Sequence, residues 1–288
     1  MRELMIDTPG ATLAVRESRP DGEPLLLLHG GPGAPDSMQL DIAPLLPELR
    51  GISFDQRGVG RSRCRDGRYR VDDYLADIEA IREHLGIPAW HVLGHSWGGL
   101  LAQLYAARHA QRVRSLVLSS SSLGVGADWK ETKRQSFRIE RQRAGAVATL
   151  RLYLYGSFLA APEPLRSWGM RHVMTEVWHD YFLDPRTAPD PDRGWLAGCS
   201  PQAMVRTDRA LSRAGTGALA SLSAYAGPVL VLYGEDDIFG PSESIVRERF
   251  PQATQVTLGS SGHLHWLQNA AGYQDALRGF YATHHTAM

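Results

Sequence analysis

Gly94-His95-Ser96-Trp97-Gly98 limits what this 288-residue chain can fold into more than any other stretch. It follows the apolar run His91-Val92-Leu93. It precedes Leu100-Leu101-Ala102-Gln103-Leu104-Tyr105-Ala106-Ala107, whose pattern is helical. A strand must therefore pass into a helix through one very tight turn centred on a serine. Such a turn brings the residues two before and two after the serine nearly into contact. Glycine at both places removes the Cβ atoms that would collide. The serine hydroxyl then stands clear of the sheet, and free amides at the helix start point toward it.

A second motif, His29-Gly30-Gly31-Pro32-Gly33, follows Pro24-Leu25-Leu26-Leu27-Leu28, an unbroken apolar run that reads as a strand buried on both faces. A glycine-rich loop after such a strand lets backbone amides approach a ligand. Gly31, with Gly30 as runner-up, and Trp97 are the expected donors to an oxyanion, both through the main chain. His29 is expected to brace the loop. The third motif is Asp55-Gln56-Arg57-Gly58-Val59-Gly60-Arg61-Ser62. It reads as scaffold beside the site, with Asp55 and Arg57 as a buried, hydrogen-bonded pair.

A serine hydroxyl needs a base and an orienting acid, and in this arrangement they follow it in the order acid, then histidine. Pro228-Val229-Leu230-Val231-Leu232-Tyr233 reads as a buried strand running into Gly234-Glu235-Asp236-Asp237. Thr254-Gln255-Val256-Thr257-Leu258 reads as the next strand, ending in Gly259-Ser260-Ser261-Gly262-His263-Leu264-His265-Trp266. Asp237 is the expected acid, with Asp236 second. His263 is the expected base, with His265 second. Ser96, Asp237 and His263 are thus the expected catalytic residues.

The strand-helix alternation stops after Ser119-Ser120-Ser121-Ser122. Helical patterns without strands follow, over residues 130–154, 167–182 and, more weakly, 202–223. A proline- and aspartate-rich loop, residues 183–192, interrupts them. The expected organisation is a core of residues 1–122 and 225–288, a mostly parallel sheet flanked by helices, with residues 123–224 inserted as a helical cap. The 31 basic and 31 acidic residues balance, so no global field attracts nucleic acid. No apolar run is long enough to span a bilayer, and the amino terminus lacks a signal-peptide core. Cys64 and Cys199 form neither a metal-ligand spacing nor a disulfide framework. The chain is expected in the cytoplasm, needing no metal or cofactor, with a small-molecule or short-peptide substrate as its partner.

The three motifs, matching H-G-G-P-G, D-Q-R-G-x-G-x-S and G-x-S-W-G-G, resemble the proline iminopeptidase family of α/β-hydrolases. The resemblance covers roughly residues 1–122 and 225–288. It implies an α/β-hydrolase fold, the Ser96–Asp237–His263 triad, and hydrolysis of an amide or ester. It also implies acidic residues in the cap that hold a substrate's free amino terminus. Glu163 and Glu176 are the expected substrate-binding carboxylates, with Asp180 and Asp184 as further candidates. The alternative is an esterase, lactonase or amidase for a small metabolite, with the same triad and a changed cap. A non-catalytic binding protein or a lyase on the same fold comes after these.

Overall fold

Leucine repeats without interruption in β3 (Pro24–Leu28) because both sides of the strand are covered. Its side chains alternate between two apolar layers: Leu26 and Leu28 enter one, Leu25 and Leu27 the other. The same split runs through β6 (Trp90–His95), β7 (Val113–Ser119) and β8 (Val229–Gly234). Val92, Leu118 and Val231 face the first layer; Leu93, Val117 and Leu232 face the second. A period of two with burial on both faces is what central parallel strands require.

The structure is a computed structural model and describes residues 1–284. β4 (Arg50–Phe54) and β9 (Thr254–Leu258) complete the parallel part of the sheet. β1 (Arg2–Asp7) and β2 (Ala11–Glu17) add antiparallel at one edge, and the short β5 (Arg63–Cys64) lies beside β2. The order across the sheet is β1-β2-β4-β3-β6-β7-β8-β9. α2 (Val71–His84), α3 (Trp97–Arg108) and α8 (Gly240–Arg249) cover the first layer with Ile78, Leu101 and Val246. α1 (Met38–Asp41), α9 (His265–Gln268) and α10 (Ala270–His284) cover the second with Met38, Trp266 and Leu277. A mostly parallel sheet with helices on both faces is thus formed, as the alternation predicts.

Between β7 and β8 the described residues contain helices and no strand. They are α4 (Ala127–Ser157), α5 (Leu165–Asp180), α6 (Arg193–Gly198), α7 (Pro201–Arg213) and a 3-10 run over Thr216–Ala224. α4 is broken at Gly145, whose φ of 76° no helical residue adopts. The end of this insertion is not a detachable lid. Ala203, Leu211 and Leu222 belong to the first apolar layer of the sheet. α4, α5, α6 and α7 also contribute side chains to cavities beside Ser96. The loops leaving β3, β6, β8 and β9 all emerge at the carboxyl edge of the parallel strands, where ligands bind in open α/β sheets.

Candidate active site

Ser96 sits between the last residue of β6 and the first of α3, with φ 59° and ψ −122°. This is a strained conformation for a residue with a side chain, and the surroundings hold it in place. Its amide donates to the Ser119 carbonyl at 3.0 Å, and its own carbonyl accepts from the amides of Gly99 at 3.0 Å and Ser122 at 3.2 Å. The flanking glycines are required by close approach. A Cβ on Gly94 would lie 2.2 Å from the Gly98 carbonyl oxygen, and one on Gly98 would lie 2.0 Å from that of Leu28.

Asp237 and His263 come from the loops after β8 and β9, and both side chains are fully buried. His263 Nδ1 lies 2.8 Å from Asp237 Oδ1, so Nδ1 carries the proton and donates it to the carboxylate. That leaves Nε2 as the free lone pair. Nε2 is buried, has no hydrogen-bond partner among the described residues, and belongs to a residue lining the same pocket as Ser96. Asp237 Oδ1 also accepts from the Phe239 amide at 2.8 Å, and Oδ2 accepts from Ser120 Oγ. Burial alone would raise the Asp237 carboxyl; the adjacent imidazoles of His263 and His265 and the Ser120 hydroxyl hold it down at about 2.

The competing acid and base go elsewhere. Asp236 is half exposed and pairs with Arg143 Nη2 at 2.6 Å. His265 lies behind Asp237: its Nε2 is 2.7 Å from Ser120 Oγ and its Nδ1 2.9 Å from Ser261 Oγ. Ser120 has one proton, and the carboxylate of Asp237 can only accept it. His265 Nε2 must therefore donate to Ser120, and Nδ1 accepts from Ser261. Burial lowers His265 to about 4, in keeping with this neutral tautomer. The buried chain Ser261–His265–Ser120–Asp237–His263 is an extension of the acid that the motifs do not announce. His95 adds a further brace, donating from Nε2 to the His263 carbonyl at 2.9 Å.

The Gly31 loop and the start of α3 border the same pocket as Ser96. The Trp97 amide, at the first helical position, has no carbonyl in its own helix to bond. Neither it nor the Gly31 amide meets a protein acceptor among the described residues. One side chain joins the two segments. Gln56 donates from Nε2 to the His29 carbonyl at 3.0 Å and accepts at Oε1 from the Trp97 indole at 2.7 Å. His29 accepts the Gln56 amide at Nε2 (3.2 Å) and donates from Nδ1 to the Gly30 carbonyl (2.8 Å), the bracing role expected of it.

Asp55 and Arg57 are not a pair. Asp55 takes Arg16 of β2, at 2.9 and 3.2 Å, because β2 lies beside β4. Arg57 points the other way, to Asp77 on α2, with two bonds of 2.8 Å. Both lie past the end of β4, where the chain turns at Arg57 and strand alternation no longer sets side-chain direction, so each takes a different partner.

Glu163 and Glu176 also fall away from the pocket. Glu163 is exposed at the start of α5 and accepts the Ser167 amide at 3.2 Å. Glu176 is spent on Arg151 of α4, at 3.1 Å. Asp184 caps its own turn by accepting the Arg186 amide at 3.0 Å. Two cap carboxylates do border the site: Asp208, spent on Lys133 and the Trp129 indole, and Glu140 of α4. Glu140 lines a cavity of about 410 Å³ that shares Gly31, Met174 and Tyr181 with the Ser96 pocket. Burial, reinforced by the nearby Asp180 and opposed by Arg143, pushes its carboxyl up to about 7. No hydrogen bond or ion pair reaches it among the described residues. Asp180, 2% exposed, is likewise raised to about 6, by burial and by Glu176. Lys133, Ser136, Phe137 and Glu140 line the cavity at helical spacing i, i+3, i+4, i+7. That stripe is visible in the sequence once the cavity face of α4 is known.

The insertion is fastened to the loops of both Asp237 and His263. Arg143 Nη2 donates to the Asp236 carbonyl at 2.7 Å, next to Asp237. The Tyr181 carbonyl, at the end of α5, accepts from the His263 amide at 2.8 Å and from Gln268 at 3.1 Å.

Residues 23–270 match the family model described as the alpha/beta hydrolase fold. A proline iminopeptidase of Lactiplantibacillus plantarum is 27% identical over 279 residues, covering 91% of this chain and 92% of that protein. Among solved structures, a proline iminopeptidase of Mycobacterium smegmatis superposes with a TM-score of 0.71 at 20% identity, over 98% of each chain. A carboxylesterase of Nitrososphaera gargenis gives 0.70 at 22% identity, again over 98% of each. The sheet order, the strained serine between strand and helix and the family match agree: this chain belongs to the α/β-hydrolase fold family.

Proposed function

We propose that this protein is a serine hydrolase of the proline iminopeptidase type, releasing an amino-terminal proline or similar residue from an amide. Ser96 Oγ attacks the acyl carbon while His263 Nε2 takes its proton. The negative charge that develops on the carbonyl oxygen is met by the amides of Gly31 and Trp97. His263 then passes the proton to the departing amine as the carbon–nitrogen bond breaks. Water, deprotonated by His263, releases the acyl group from Ser96. Asp237 holds His263 in the required tautomer and stabilises its cationic form.

The observation that carries the substrate assignment is Glu140. A carboxylate largely withdrawn from water, with Arg143 offsetting only part of the cost and no ion pair of its own among the described residues, is unfavourable, and a bound ammonium reverses that. The rest of the cavity is mainly apolar and aromatic, with Phe137, Met174, Tyr181 and Phe239, which suits a pyrrolidine ring. The full-length relative named proline iminopeptidase supports the same reading. The esterase reading draws on the carboxylesterase neighbour, but leaves Glu140 without a role. We place the enzyme in the cytoplasm, a reading supported by two unpaired cysteines.

The test compares prolyl arylamide with its N-acylated form and with a simple aryl ester. An aminopeptidase cleaves the first and fails on the second, because acylation removes the cation. Equal rates on both overturn the assignment, and turnover of the ester alone moves the protein to the esterases. Ser96→Ala should lower turnover by at least about 10⁴-fold with the fold intact. Near-normal turnover in that variant overturns the covalent mechanism.

A further inference from the structure

The pocket of Ser96 and His263 opens into two larger spaces. One is the 410 Å³ cavity of Glu140, reached past Gly31, Met174 and Tyr181. The other has a volume of about 680 Å³ and is reached past Pro35, Asp41, Trp178 and Trp195. The two share no lining residue with each other, and each shares lining residues with the nucleophile's pocket between them. An acyl part and a leaving group diverge from the one carbon that Ser96 attacks. With the ammonium-bearing acyl part directed to Glu140, the second cavity is the space left for the leaving group.

Its chemistry is specific. Two cations border it, and both already have carboxylate partners. Arg16 is gripped by Asp55 through bonds of 3.2 and 2.9 Å and by Asp36 at 3.4 Å; Arg61 pairs with Glu3. Asp41 borders both the nucleophile's pocket and this cavity, and has no cationic partner among the described residues. Burial raises its carboxyl, the neutral Ser37 and Trp266 side chains oppose the rise, and Asp36 adds to it. The indole N–H groups of Trp195 and Trp178 are already used, on the carbonyls of Pro35 at 3.2 Å and Pro189 at 2.8 Å. With those donors occupied, the two rings, 5.5 Å apart, offer the cavity carbon surface.

We propose that this second cavity binds the leaving group, and that Asp41 with Trp178 and Trp195 selects neutral or cationic leaving groups of aromatic or apolar bulk over those bearing a carboxylate beside the scissile bond. The inference rests on the hydrolase reading given above. A dipeptide with a free carboxyl terminus would bring its α-carboxylate toward Asp41, with no free guanidinium to offset the repulsion. An aminoacyl amide, or a longer peptide, carries no charge there. The enzyme is therefore built for blocked or extended substrates rather than for free dipeptides.

The experiment measures kcat/KM for prolyl-phenylalanine, prolyl-phenylalaninamide and prolinamide in the wild type, Asp41→Asn and Trp195→Leu. The wild type should favour the phenylalaninamide over the free acid by about tenfold or more, and Asp41→Asn should remove most of that preference. Trp195→Leu should raise KM for the phenylalaninamide by about tenfold, and for prolinamide, which releases only ammonia, by much less. Equal wild-type rates on acid and amide overturn the inference while leaving the peptidase assignment standing. So does a preference that survives Asp41→Asn. If no prolyl compound turns over but aryl esters do, the peptidase reading is what failed. The comparison is then made on two esters of one acyl group whose alcohols end in a carboxylate or a carboxamide. An unchanged ratio in Asp41→Asn overturns the cavity assignment there too.

Discussion

Removing the Ser120 hydroxyl isolates what the buried chain behind Asp237 contributes. Ser120→Ala deletes one of three donors to a fully buried carboxylate and leaves His265 Nε2–H without an acceptor. A hydrogen bond to a buried charge contributes about 1.5–3 kcal/mol, which in a chain of this size lowers Tm by roughly 5 °C. The wild-type serine already carries the strain of its φ of 49°, and alanine carries the same strain, so Ser120→Ala reports the lost hydrogen bonds. Ser120→Gly also lacks the hydroxyl but relieves that strain, so it should lose less stability than the alanine variant. Activity should fall about ten- to hundredfold in kcat, since a loosened Asp237 lets His263 drift from the reacting atom. The pH profile supplies the sharper readout. A carboxylate with fewer donors holds the proton on His263 more strongly, so the acidic limb of kcat/KM moves to higher pH. Asp237 is depressed from 3.8 to about 2, so its stabilisation is present above pH 3.8 and lost as pH falls through about 2. The stability difference should therefore be full at neutral pH. Unchanged melting temperature together with an unmoved acidic limb refutes the extended chain.

Three further outcomes follow from the same geometry. Asp237→Asn should reduce kcat by about 10⁴-fold, while Asp236→Asn, which loses only a half-exposed ion pair to Arg143, should cost less than about tenfold; similar losses in the two would mean the acid is misassigned. Glu140→Gln should weaken kcat/KM on prolyl arylamide by about 100-fold and yet stabilise the fold as pH rises. The sign follows from a carboxyl raised from 4.5 to about 7: the unfolded chain ionises first, so stability drains away across that window, and glutamine avoids the loss. Thermal melts at pH 4 and pH 8 check it, the gain appearing only at the higher value. Gly98→Ala should fail to give folded protein or melt many degrees lower, because its Cβ would sit 2.0 Å from the backbone of Leu28; circular dichroism on the purified variant decides.

Legibility in the sequence tracked how locally each feature is determined. β3, β6 and β8 read directly as strands because continuous apolar runs have few other uses at that length. The elbow was legible because its glycines and serine are adjacent in the chain. Asp237 and His263 were reachable through a fixed order and loop position, and the structure brings those two within 2.8 Å. What stayed hidden depends on side-chain direction across the fold. Asp55 and Arg57, two positions apart, look like natural partners, but the turn after β4 sends them to Arg16 and Asp77. Glu140 lies in the basic stretch Arg138-Ile139-Glu140-Arg141, where nothing local distinguishes it from a solvated charge. Only the placement of α4 over Gly31 and Tyr181 singles it out. Ser120 belongs to a run of four serines, and its neighbours Ser121 and Ser122 are equally buried, so composition could not choose among them.

The fastening of the cap to both catalytic loops has an evolutionary consequence. Families on this scaffold are commonly pictured as a constant engine under an exchangeable roof. Here Arg143 grips the loop of Asp237, and the Tyr181 carbonyl receives the amide of His263. A chimera that imports a foreign insertion between β7 and β8 would discard both anchors along with the old specificity. New substrate preference would then arrive with an impaired acid and base, and selection would have to repair them together. Descendants of such a protein should change specificity more readily by point substitutions inside the existing roof than by wholesale exchange.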